Sequence, residues 1–228
     1  ANFFVLCVIF TPAIVRGHNG KTSTFVVPGA GGGANFPGAS MDPETQTLYI
    51  QSVTRPVGMA LVEPPDGTSD WPYVIQYTRT AGPRGLPLVK PPYRRITAID
   101  LNSGEHVWQI PFGKGPTDHP DIADLNLGPL GSRFNDVVAE GGILITKTLL
   151  ISYLAAKDEI SPEETGSILV AHDKATGDLI GEVNVALRLH GPIMSYQIED
   201  KQYIAIAGGG RNNDAQLLAF ALPGITGD

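Results

Sequence analysis

Short apolar runs separated by turn residues recur along the whole chain, and the 3.6-residue spacing of an amphipathic helix is nearly absent. Residues 3–10 form an apolar run that Pro12 ends. Residues 24–27 lead into Pro28-Gly29, and residues 48–50 follow the turn-forming Asp42-Pro43-Glu44-Thr45. Residues 73–77 are a further candidate strand. Residues 96–99 meet the turn Asn102-Ser103-Gly104 and return as residues 106–110. Later candidates are residues 142–153, 167–172, 179–185, 193–197, 203–207 and 217–220, with Glu199-Asp200 joining the pair before the last. The pattern predicts an all-β chain of hairpins.

Two of these hairpins are alike. Ala98, Asp100, Gly104 and Trp108 mark a strand, an Ala-x-Asp step, a turn and a returning strand. Ala171, Asp173 and Gly177 repeat the arrangement, with Gly181 where the tryptophan would stand. Residues 40–49, around Asp42, are a degenerate third copy. An aspartate here accepts hydrogen bonds from turn amides, and the glycine takes the positive φ of the turn. The motif therefore reads as hairpin chemistry with no direct functional role. Repeats at blade-like spacing predict a β-propeller, in which each sheet buries its faces against its neighbours. The stretch from about residue 53 to residue 92 departs from the pattern. It carries Pro56, Pro64-Pro65, Pro72, Pro83, Pro87 and Pro91-Pro92 with one convincing strand, and reads as an excursion over one face.

Composition agrees with many tight turns: 27 Gly and 19 Pro make about a fifth of the 228 residues. A chain of this length removes roughly 70% of its unfolded surface from water, enough for a substantial core. The net charge of -7, with no basic stripe, argues against nucleic acid as a partner. A lone cysteine, Cys7, excludes an internal disulfide framework. Residues 3–10 have no preceding Lys or Arg and span about half a bilayer, so they read as a buried strand rather than a leader or an anchor. A chain opening directly into such a strand reads as an excerpt of a longer protein. Isolated blades of this kind leave open sheet edges and are expected to self-associate.

Several motifs, in order, carry a family resemblance. Phe10-Thr11-Pro12, the glycine-rich residues 28–39 and Asp42-Pro43 form one passage. Gly141-Gly142 with Thr146-Lys147-Thr148 forms another, and Gly191-Pro192-Ile193-Met194 with Lys201-Gln202-Tyr203 a third. With the Trp108 hairpin and the closing run at 218–223, they resemble the C-terminal part of pyrroloquinoline quinone (PQQ) dependent alcohol and sugar dehydrogenases. The resemblance implies C-terminal blades, across residues 1–228, of an eight-bladed propeller. It implies oxidation of an alcohol or sugar by hydride transfer to the PQQ C5 carbonyl, which a Ca²⁺ or lanthanide ion polarises. It also implies a quinone or cytochrome as electron acceptor, the remaining propeller blades as partners, and a periplasmic setting. The family's metal ligands, catalytic aspartate and quinone-stacking tryptophan are expected outside this chain, so no catalytic or metal residue is assigned here. Asn35 matches the asparagine that hydrogen-bonds PQQ. Phe36 stands where the family has tryptophan, keeping an aromatic face without the indole N–H. Glu140 and Gly141 align with a second cofactor position, where a carboxylate is repelled by the anionic quinone unless a cation lies between. A non-catalytic propeller serving as a binding or assembly scaffold is the alternative; Glu140 and Gly181 favour it.

Other constellations carry less. Gly29-Ala30-Gly31-Gly32-Gly33-Ala34 mimics a dinucleotide fingerprint, but Pro37 and Gly38 forbid the helix that motif requires. His18, His106, His119, His172 and His190 are scattered and read as surface or turn residues. The acidic residues at 158–164 lack the ligand spacing of a Ca²⁺ loop.

Overall fold

Residues 149–154 and 167–172 are mostly apolar at odd and even positions alike, so a sheet built from them must be covered on both faces. The computed structural model describes residues 4–5, 11–35, 38–132, 142–155, 166–210 and 213–221, and arranges them in four sheets. The first sheet combines β1 (Phe4–Val5), β2 (Ile14–Val15) and β3 (Ser23–Val26) with two strands from later in the chain, β6 (Val57–Val62) and β7 (Val74–Arg79). The second has the order β4-β5-β8-β9, from Ala39–Asp42, Thr47–Val53, Arg94–Asp100 and His106–Pro111. The third is the meander β10 (Leu144–Ile145), β11 (Leu149–Ala155), β12 (Ser167–Asp173) and β13 (Leu179–Val185). The fourth holds β14 (Leu189–Ile198), β15 (Lys201–Gly210) and β16 (Asn213–Ala221). The last three sheets are antiparallel throughout.

The core follows from strand alternation. Leu150, Leu154, Ile168 and Val170 of the third sheet face Tyr49, Ile96, Ala98 and Phe112 from the second sheet and the residue just beyond β9. Ile151, Tyr153 and Leu169, one residue out of step, face Leu189, Ile193 and Ile206 of the fourth sheet. The short strand β10 touches β4 on one side and β14 on the other, the first strands of the flanking sheets. Stacked sheets whose leading strands converge are propeller blades.

The repeated hairpins lock the second blade to the third. Asp100 Oδ1 accepts the amide of Asn102 at 2.8 Å. Asp173 Oδ1 accepts those of Ala175 and Thr176 at 2.8 and 3.1 Å. Asp42 Oδ1 accepts that of Glu44 at 3.1 Å. The turn glycines Gly104 and Gly177 have φ of 76° and 81°, and in the degenerate copy Gln46 takes this conformation with φ of 56°. Gly177 also makes room for Trp108. A Cβ there would lie 3.1 Å from the indole Cε3 and 3.0 Å from Ile110 Cγ2. Trp108 Nε1 and Tyr49 Oη both donate to the Lys174 carbonyl at 3.1 Å.

Three elements differ from the sequence pattern. The 53–92 segment holds two strands, β6 and β7, which complete the first sheet. Gly58 and Ala60 give β6 little strand character of its own, and its partners β2 and β3 lie more than thirty residues earlier in the chain. Residues 142–153 form a hairpin instead of one strand, because Thr146 Oγ1 accepts the Leu149 amide at 3.0 Å and closes a turn. His172 is a buried strand residue, 6% exposed, and not a surface or turn histidine. It occupies an alternate position of β12 and packs edge-on to Phe112, with ring centroids 6.2 Å apart. Of residues 3–10, the described pair Phe4–Val5 forms a strand parallel to β3. The acidic run at 158–164 lies outside the described residues.

Candidate functional site

The glycine-rich loop after β3 folds against the chain that leaves β5. Val53 N–H donates to Gly33 O at 2.7 Å and Arg55 N–H to Pro28 O at 2.6 Å. Gly29 has φ of 144°, and a Cβ there would collide with the Arg55 carbonyl, so only glycine permits this approach. Asn35 Nδ2 donates to Gly31 O at 2.9 Å and braces the loop. The next described element is the strand β4, and the helix a dinucleotide site needs is not there.

A cavity of about 470 Å³ opens between this loop, the end of β5 and the base of the β6–β7 hairpin. That size suits a small-molecule site. Asn35, Gly31–Gly33, Arg55, Tyr77, Arg79 and Arg94 are among its lining residues. Residues 85–88 close another side, and an external contact holds them. The preceding residue, Arg84, places Nη1 2.7 Å from Asp121 Oδ1, and its carbonyl meets His119 Nε2 at 3.0 Å. The Asp121 amide donates to His119 Nδ1 at 3.2 Å.

Arg94 ties the cavity wall to the third blade. It is buried, its Nη2 donates to Gln51 Oε1 at 2.8 Å, and its guanidinium lies 5.0 Å from the Phe112 ring centroid. Gln51 Nε2 donates to Ser152 Oγ at 2.5 Å, and Ser152 Oγ donates to Gly142 O at 2.9 Å. The polar chain thus runs from the cavity to the backbone beside Gly141.

The sequence singled out Asn35, Phe36, Glu140 and Gly141. Asn35 lies at the cavity, while Phe36, Glu140 and Gly141 lie outside the described residues. Sequence reasoning missed Arg55, Arg79, Arg94 and Gln51. No motif marks them: Gln51 and Arg94 meet through the pairing of β5 with β8, and Arg55 and Arg79 reach the cavity at the base of the β6–β7 hairpin. Among the described residues no group of three or more His, Cys, Asp or Glu side chains is placed to hold a metal ion. No helix among them is long and apolar enough to cross a membrane.

A family model described as the glucose/ethanol/alcohol dehydrogenase PQQ β-propeller domain matches residues 5–204. The chain belongs to this quinoprotein propeller family. It is 23% identical to the quinate/shikimate dehydrogenase (quinone) of Acinetobacter baylyi, over 86% of this chain and 26% of that protein. It is 25% identical to quinoprotein glucose dehydrogenase A of Acinetobacter calcoaceticus, over 94% of this chain and 27% of that protein. The quinohemoprotein alcohol dehydrogenase of Comamonas testosteroni superposes with a TM-score of 0.55 at 19% identity, covering 86% of this chain and 27% of that one. The chain therefore spans about a quarter of the length of the curated relatives it matches.

The described residues fit the family's cofactor. A planar, multiply anionic quinone suits a wall of glycines, where added side chains would fill space, with an asparagine amide and three guanidinium groups at hand. The cavity's described lining holds no Asp, Glu, His or Cys.

Proposed function

We propose that the chain is the C-terminal part of the propeller of a PQQ-dependent dehydrogenase that oxidises an alcohol or a sugar. The observation that carries this reading is the cavity itself, where Asn35, the glycine loop and the arginines meet in a chain of this family. Bound PQQ supplies the hydride-accepting carbonyl, with a Ca²⁺ or lanthanide ion to polarise it.

The chain's own residues bind and orient. The Asn35 side chain, held by Gly31 O, presents its amide to the cavity. Gly29 lets the loop lie flat on Arg55, which keeps that wall open to a planar ring. The Arg94–Gln51–Ser152 chain ends on the carbonyl of Gly142, which follows in sequence the second matched cofactor position, Glu140 and Gly141. Phe36, next in sequence, stands where the family has tryptophan and would supply an aromatic face without the indole N–H. Proton acceptance from the substrate hydroxyl and metal ligation fall to residues elsewhere in the eight-bladed propeller. The electron acceptor is a quinone or a cytochrome, and the setting is periplasmic.

Full-length protein reconstituted with PQQ and Ca²⁺ is expected to reduce an artificial dye when given alcohols or sugars. Asn35→Ala is expected to weaken PQQ binding about tenfold in equilibrium dialysis, the loss of a hydrogen bond to a charged group. Absence of PQQ-dependent turnover across a broad panel would sink the enzyme reading. The second reading, a non-catalytic scaffold, is favoured by the carboxylate of Glu140 at a cofactor position. It predicts no PQQ binding at all.

A further inference from the structure

Residues 82–86 form a compact turn beside the cavity. Gly82 N–H donates to Leu86 O at 2.8 Å and Leu86 N–H to Pro83 O at 3.1 Å, so the turn is closed on itself. A Cβ on Gly82 would lie 2.7 Å from Leu86 O, and a side chain there would part the two ends. Gly85 and Leu86, with Pro87 and Leu88 after them, line the cavity, while the Arg84 side chain is 76% exposed.

The turn lies in the connection from β7 of the first sheet to β8 of the second, and a third stretch of chain fixes its outer side. His119 and Asp121 hold Arg84 by backbone and side chain together. The Asp121 amide donates to His119 Nδ1, which puts the imidazole hydrogen on Nε2, and Nε2 donates it to the Arg84 carbonyl at 3.0 Å. The Asp121 carboxylate takes the Arg84 guanidinium at 2.7 Å. Backbone bonds anchor the segment that carries the pair. Leu130 N–H donates to Lys114 O, Gly131 N–H to Gly113 O and Ser132 N–H to Phe112 O, at 2.9–3.0 Å. A Cβ on Gly131 would collide with the Arg94 backbone, so this segment lies tight on the second sheet. One side of the contact is a fixed post, and the other is a turn held to it by side-chain bonds. Contacts of that kind open far more often than the whole fold does.

We propose that His119 and Asp121 latch the 82–86 turn against the cavity and so set the rate at which PQQ enters and leaves it. That PQQ is the occupant rests on the dehydrogenase reading; the latch on the cavity does not. Both are positioning residues that act through Arg84. A latch that touches the turn and not the ligand changes how often the cavity stands open. Entry and exit scale with the same open fraction, so the affinity is unchanged.

The test uses full-length apoprotein. Stopped-flow mixing with PQQ gives the association rate, and transfer to an excess of a trapping apoenzyme gives dissociation. A second readout needs no PQQ: the rate at which a small thiol reagent labels Ser132→Cys in a Cys7→Ser background. Ser132 lines the cavity and is 1% exposed. Arg84→Ala and Asp121→Asn are each expected to speed association, dissociation and labelling about two- to fivefold, with Kd unchanged. The double variant is expected to be no faster than either single one, since both remove the same bond. His119→Ala is expected to speed all three rates about fivefold. His119→Gln, which keeps a donor for the Arg84 carbonyl, is expected to do less. Equal labelling rates in all variants overturn the proposal, whatever PQQ does. So does a Kd that rises while association stays as it was, because these residues would then shape the bound state. Unchanged PQQ rates beside faster labelling also overturn it, since the quinone would pass elsewhere. Faster labelling in a protein that never binds PQQ supports the latch on the cavity and sinks the dehydrogenase reading instead.

Discussion

Lys174 Nζ lies 2.6 Å from Asp42 Oδ2, joining the third blade to the second across 132 residues of chain. The Lys174 side chain is 11% exposed and that of Asp42 5%. The lysine ammonium, then the Thr45 hydroxyl, hold the Asp42 carboxyl below its ordinary value of 3.8. The same lysine offers its backbone carbonyl to Trp108 and Tyr49, so one residue holds the blade contact by both its ends.

A depressed carboxyl pKa adds stability that is fully present above the unfolded value of 3.8 and is lost as pH falls through the lower folded value. Asp42→Asn is therefore expected to lower Tm at pH 7 and to flatten its fall below pH 4. Replacing both residues, as Asp42→Leu with Lys174→Met, is expected to cost less than either single change, because no buried charge is left alone. Thermal melts across pH 2.5 to 8 check both outcomes.

Trp108→Phe keeps most of the packing on Gly177 and loses the bond to the Lys174 carbonyl, about 1 kcal/mol. Gly177→Ala adds a Cβ 3.0–3.1 Å from Ile110 and Trp108 at φ of 81°, and is expected to cost about 1–3 kcal/mol. Gly181→Ala meets open space and is expected to change stability by less than about 0.5 kcal/mol. Gln46→Gly relieves a left-handed conformation and is expected to be neutral or stabilising by up to about 1 kcal/mol. Urea titrations order the four.

Burial pushes the His172 imidazole below its ordinary 6.5, since Phe112 and the β11–β13 backbone replace water around it. A histidine neutral in the fold and charged when unfolded contributes stability that is whole above pH 6.5 and erodes as pH falls toward the folded value. His172→Leu is expected to remove that slope below pH 6.5. An unchanged slope in the variant would exclude His172 as its source.

Arg84 is 76% exposed at its side chain, so its ion pair with Asp121 adds little to global stability. Its local effect is larger, because residues 85–88 line the cavity directly after it. Arg84→Ala is expected to leave Tm within about a degree. Hydrogen exchange across residues 82–88 is expected to rise clearly. Asp121→Asn should do the same.

The outer strands are open. β13 exposes Leu179, Ile180 and Val183, and β16 exposes Leu217 at 75%. Unpaired edges of this length template pairing with other chains, so the 228-residue chain alone is expected to self-associate in sedimentation velocity. A monodisperse monomer would count against this.

The turns were legible in the sequence because their chemistry is local. Asp100 and Gly104, or Asp173 and Gly177, satisfy and shape a turn within five residues, whatever the rest of the chain does. Short apolar runs bounded by turn residues likewise marked β5, β8, β12 and β15. Asn35 was marked by the family resemblance of its glycine-rich passage, and it lines the cavity. By itself, then, the sequence determined the hairpins and the blade repeat. β6 was not legible, because its residues favour no strand and its pairing with β3 is non-local. Nor were the Lys174–Asp42 contact and the meeting of Arg55, Arg79 and Arg94 at one cavity. Those residues are scattered through different segments and carry no periodicity. Only the tertiary structure decided them, because closing such long loops takes the combined burial of whole sheets, which no short stretch of sequence expresses.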